Sequence, residues 1–197
     1  MENPEREDKF KVVCFHHQLI PIPNTGKERS AIDDSGDMLQ MLLDAKADLV
    51  LNGHRHTSNL YTVSSSEKDL FIFNAGTFCC NKTRYRELFT YSIIEIDGEN
   101  ISFQIIPVLG SASRKQIHRE VNYYIPLEIR TKQNPICRII QISNSLIKEQ
   151  SENELTTLDR AIEKINRFKD VDLVVHAGNL TQNSYKEEFI ISKEMLS

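Results

Sequence analysis

A chain of 197 residues, 40% hydrophobic and 26% charged, has the size and composition of one globular domain, or one and a half, with a buried core. A formal net charge of -4 gives no sign of the concentrated basic face that a nucleic-acid surface needs, and no apolar run approaches the roughly 20 residues that cross a bilayer. The stretch Met1 to Lys9 is polar and acidic, the opposite of a secretory signal, and Cys14, Cys79, Cys80 and Cys137 show no metal-ribbon spacing; reduced thiols in a cytoplasmic protein are expected.

The first predicted element is a strand over Phe10 to Phe15 that ends at His16-His17. The segment 18–29 carries two prolines, an asparagine and a glycine, which predict a loop leaving the strand end, and its Lys27 and Arg29 could meet an anionic substrate. A helix follows, capped at Asp34 or Ser35, with Asp37 in the first turn and Met38, Leu39, Leu42 and Leu43 at core spacing. The apolar run Leu49-Val50-Leu51, within a strand over 48–52, then reads as a buried strand that delivers Gly53-His54-Arg55-His56. Strand, helix, strand is a βαβ unit, so the two strands run parallel and their C-terminal ends share one edge. That places His16, His54 and His56 together. A lone histidine at a strand end is more often a hydrogen-bonded core residue, but two strands ending the same way weaken that account. Convergent imidazoles suit first-row divalent ions.

Short strands come next, over 60–63 and 70–74, and the second is broken by Ala75-Gly76-Thr77. Strands over 91–96 and 101–108 flank the turn signal Asp97-Gly98 and form an antiparallel closing section. The segment 110–135 reads as a linker, with an edge strand at most around Pro126. Beyond it a strand over 138–143, a helix capped by Ser151 and Glu154, a strand over 172–177 and a helix over 184–196 repeat a β-α-β-α order.

Strand-His, loop, helix, strand-Gly-His-x-His, Ala-Gly-Thr and a closing hairpin, in this order, resemble the calcineurin-like metallophosphoesterases. Residues 1–109 look like the C-terminal half of such a domain. The resemblance implies a four-layer α/β/β/α sandwich of mixed sheets holding two divalent ions (manganese, iron, zinc or nickel) that share an aspartate. By it His16 and His54 would bind one ion and His56 the other, with His54 and His56 acting in catalysis. His16 is preferred to His17 because family members read His-x-Pro here, although Gln18 stands in the proline position. The implied reaction is hydrolysis of a small phosphomonoester or phosphodiester, with two ions neutralising the phosphoryl oxygens and activating water.

Residues 136–197 resemble the N-terminal half of the same family with its metal positions altered. Asn144 stands in the place of an aspartate, Leu146 in the place of a histidine, and Asn179 in the place of the bridging aspartate. Asparagine offers a neutral carbonyl oxygen and no charge, so these are vestigial metal positions. The two halves are expected either as consecutive parts of a tandem protein or as one circularly permuted domain. The permuted form is favoured, with strands 12–15 and 172–177 in one sheet, because each half alone leaves an apolar sheet edge open. Two functions follow. One is a metal-dependent phosphohydrolase impaired by the missing carboxylates. The other is an inactive pseudo-phosphoesterase scaffold, interaction module or truncated fragment, able to pair with a second copy.

Overall fold

Sheet order follows from which residues are buried on both faces. The computed structural model describes residues 9–23, 25, 31–66, 68–80, 83, 87–97, 100–108, 137–148 and 152–196. Its elements are β1 (Val12–Cys14), α1 (Ser35–Asp44), β2 (Leu49–Asn52), β3 (Asn59–Ser64), β4 (Asp69–Asn74), β5 (Thr90–Asp97), β6 (Asn100–Pro107), β7 (Cys137–Ile142), α2 (Glu152–Asn166), β8 (Leu173–His176) and α3 (Lys186–Leu196). The molecule is mixed α/β, with two four-stranded sheets ordered β1-β2-β4-β3 and β6-β5-β7-β8. Among the described residues no helix is long and apolar enough to cross a membrane. The expected linker at 110–135, the loop charges Lys27 and Arg29, and the cap residue Ser151 lie outside the described residues.

In the first sheet β1, β2 and β4 run parallel, and β3 pairs antiparallel with β4. All four residues of β2 are buried, which is why Leu49, Val50 and Leu51 form an apolar run without alternation. Alternation along the strand then divides its side chains between two faces. Val50 joins Leu70 and Ile72 against Leu42 of α1, while Leu49 and Leu51 join Phe73 against Ile94, Ile96 and Ile139 of the other sheet. Phe73 stacks on Phe103 across this inter-sheet layer, with ring centroids 5.1 Å apart.

The second sheet is covered on its outer face by α2 and α3. Ile93, Ile140 and Ile142 meet Leu158, Ala161 and Ile165 of α2, and Ile191 and Met195 of α3 border the same cluster. β7 and β8 are parallel, as the α2 crossover between them requires, and both β6 and β7 pair antiparallel with β5.

One expectation is overturned. Strands 12–15 and 172–177 do not share a sheet: β1 lies in the first and β8 in the second. Among the described residues the first sheet consists of β1, β2, β4 and β3 alone, with no strand from the second half of the chain. Instead β5 offers its second edge to β7, pairing Ile93 with Ile140 and Ile94 with Ile139. The segments before residue 109 and after residue 136 therefore join in one sheet, through β5. The ends of β1 and β8 meet across the layers, not within one.

Candidate functional site

The turns after β1, β2, β4, β7 and β8 converge. Gly53 N–H donates to His16 O at 3.0 Å, Phe78 N–H to Ser143 O at 3.0 Å, and Asn144 N–H to Gly178 O at 3.1 Å. The backbone there is strained. His54, His56, Asn144, Leu146 and Asn179 all adopt positive φ, between 48° and 68°, a region that costs an L-residue roughly 1–2 kcal/mol. Strain of this kind persists only where the surroundings over-determine it, and it clusters at functional sites. Two glycines allow the close approach: a Cβ on Gly53 would lie 2.0 Å from Ser143 Oγ, and one on Gly178 would lie 2.4 Å from His16 Nδ1.

His16 and His54 come together as the sequence predicts. His16 Nδ1–H donates to Ala177 O at 2.8 Å, which leaves its Nε2 as acceptor for His54 Nδ1–H at 3.2 Å. His17 joins them on the more exposed side, its ring centroid 4.3 Å from that of His54. His56 is buried beside them. Its Nδ1 lies 2.9 Å from Thr77 Oγ1 and 3.8 Å from Cys80 Sγ, inside the fold. The Arg55 guanidinium donates to the Thr25 hydroxyl and carbonyl.

Burial is the main cause that holds His54 down to a pKa of about 4, and the neighbouring His17, His16, Arg55 and His56 add to it. His16 is also lowered, chiefly by burial, against an opposing pull from the Ala177 carbonyl. At neutral pH His16 and His54 are uncharged. The amides are satisfied internally: Asn179 Nδ2–H donates to Asn144 Oδ1 at 3.2 Å, and Asn144 Nδ2–H donates to Gly76 O at 3.3 Å. Leu146, in the position expected of a histidine, is buried.

Sequence reasoning missed His176. It ends β8 as His16 follows β1, so the same strand-to-histidine signal was present. Its Nε2 lies 2.8 Å from Ser145 Oγ, and burial first, then His16, lowers its pKa to about 4. Glu87 was missed too. Its carboxylate accepts from Ser58 N–H at 2.8 and 3.0 Å and from the Ser58 hydroxyl at 2.6 Å, which pins the exit of the histidine turn. No local pattern marks a carboxylate that acts from 29 residues away.

A two-ion centre, as the resemblance implies, does not fit this donor set. Two cations need bridging negative charge, and the positions for it hold an amide pair already bonded to itself. Among the described residues no group of three or more His, Cys, Asp or Glu side chains is arranged to hold a metal ion. A scan against protein-family models, a search of curated proteins and a search of solved structures each give no match for this chain.

Proposed function

We propose that the chain is a metallophosphoesterase-like domain that has lost its two-metal centre, a pseudo-phosphoesterase serving as a binding or scaffold module. The observation that carries this is the hydrogen bond from Asn179 Nδ2–H to Asn144 Oδ1, at positions where the resemblance expects metal-bound aspartates. The stacking of α1, two mixed sheets, and α2 with α3 supports the four-layer sandwich of that family. The β5–β7 pairing supports its circularly permuted form.

The chemistry supports loss of hydrolysis. A phosphoester is anionic and repels hydroxide, so positive charge must neutralise it while lowering the pKa of water. In the family that charge comes from two ions, and asparagines in place of both aspartates leave these positions without the anionic ligands that would hold them. We therefore assign no hydrolytic step to this site.

A second function has one observation in its favour. His16 Nε2 and His54 Nδ1 are 3.2 Å apart. That is roughly the span of two imidazole nitrogens each about 2.1 Å from one ion. A phosphohydrolase of a small phosphoester, impaired and dependent on a single ion, would use that pair. Metal analysis with hydrolysis of a generic phosphodiester, with and without manganese, separates the two. The pseudo-phosphoesterase binds less than one ion per chain and shows no turnover above background. Manganese-dependent turnover that disappears in His54→Ala would sink it.

A further inference from the structure

In a two-metal centre the ions tie strand ends together as well as performing chemistry, so a domain that has lost them needs another tie. The strand ends here are cross-linked by side chains. From the turn after β4, Gly76 O accepts from Asn144 at the end of β7, and Asn144 in turn accepts from Asn179 beyond β8. From β8, Ala177 O accepts from His16 beyond β1, and His16 accepts from His54 beyond β2. These two chains of contacts reach both sheets and take in four of the positions from which the resemblance would draw its ligands, His16, His54, Asn144 and Asn179. Asn144 is fully buried, so its amide cannot turn to water if a partner is lost.

We propose that the Asn144–Asn179 pair is a metal-replacing clasp, making the fold of this domain independent of divalent ions. The proposal rests on the pseudo-phosphoesterase assignment of the site. Its physical basis is charge. Two amides 3.2 Å apart attract as donor and acceptor. Two carboxylates at that separation repel unless a cation lies between them. The present residues suit an ion-free site, and aspartates at both positions would restore the need for an ion.

Thermal unfolding of the full chain tests this. For the wild type, Tm is the same in EDTA and in manganese. Asn179→Ala removes the donor to a buried acceptor and lowers Tm by about 2–6 °C. The double variant Asn144→Asp/Asn179→Asp is destabilised in EDTA. Manganese at a hundred times its Kd then raises the double variant's Tm by about 5–10 °C. A wild-type Tm that rises with manganese and falls with EDTA overturns the clasp. So does an Asn179→Ala variant with unchanged Tm, or a double variant that is unfolded with and without the ion. Phosphodiester turnover by the wild type would instead overturn the functional assignment and leave the Tm comparison standing, so the two failures are distinguishable.

Discussion

Gly53 is where the two sheets press most tightly on the site, and Gly53→Ala measures that pressure. The added Cβ would stand 2.0 Å from Ser143 Oγ, 3.1 Å from Ser143 Cβ and 2.8 Å from Ala177 O. The hydroxyl can rotate, but it is buried and already donates to Ala177 O at 3.0 Å. Breaking that bond without replacement costs about 1–3 kcal/mol. The Ala177 carbonyl is backbone at the end of β8, and moving it strains the strand end and the His16 contact. Overpacking of this kind costs about 1–3 kcal/mol. Together the loss is about 2–6 kcal/mol, a large share of the roughly 5–15 kcal/mol that holds a domain folded. Urea unfolding reads it as a lower Cm at unchanged m-value. Gly53→Ala/Ser143→Gly removes the serine clashes and leaves only the Ala177 contact, so the pair is less damaging than the sum of its parts. A Gly53→Ala change within about 0.5 kcal/mol of wild type, or strict additivity in the pair, would refute the close approach of the histidine turn to β7.

Three further outcomes are expected. The His176 pKa falls from its ordinary value of 6.5 to about 4 in the folded chain, so the unfolded chain binds a proton that the folded chain refuses. Stability is unaffected above pH 6.5, declines as the pH falls from 6.5 toward 4, and by pH 5 has lost about 2 kcal/mol from this group alone. His54 acts in the same direction but is more exposed and contributes less. Comparing Cm at pH 7 and pH 5 in the wild type and His176→Gln checks this, and an identical acid slope in both would contradict it. Gly178→Ala meets a backbone φ of +83° and the ring of His16, so destabilisation should accompany a displaced His16 resonance in NMR. Leu158→Ala empties a fully buried position between α2 and the second sheet and should cost about 2–5 kcal/mol in urea unfolding, with no effect on the histidine resonances.

Local signals carried the elements and long-range partners were hidden. The run 48–52, bounded by a helix and a glycine, allows little but a buried strand, and β2 occupies Leu49–Asn52. The expected strand over 10–15 shortens to Val12–Cys14. Partner choice is another matter. β5 carries apolar residues on both faces, Tyr91 and Ile93 toward α2 and Ile94 and Ile96 toward the first sheet. Nothing within the strand says that its second neighbour begins 40 residues beyond its own end. At the site the same division holds. Histidines at strand ends announce themselves by position, which located His16 and His54. What a ring nitrogen meets, as His56 Nδ1 meets Thr77, depends on a hydroxyl 21 residues away.

The strained backbone at the strand ends also bears on what has been lost. Leu146 holds positive φ without the side-chain chemistry that lets asparagine tolerate it. That conformation is fixed from outside the residues themselves. Leu146 N–H donates to Asn179 O at 3.0 Å and Asn144 N–H to Gly178 O at 3.1 Å just past the paired ends of β7 and β8, and Gly53 N–H donates to His16 O at 3.0 Å just past those of β1 and β2. The geometry of the turns therefore belongs to the layered fold and its backbone hydrogen bonds, and it survives replacement of the side chains that would ligate an ion. On this frame the double substitution Asn144→Asp/Asn179→Asp alters charge and leaves the backbone nearly as it stands, because asparagine and aspartate have the same shape. Metal affinity gained by that variant would measure the carboxylates alone, on a frame already built to hold them.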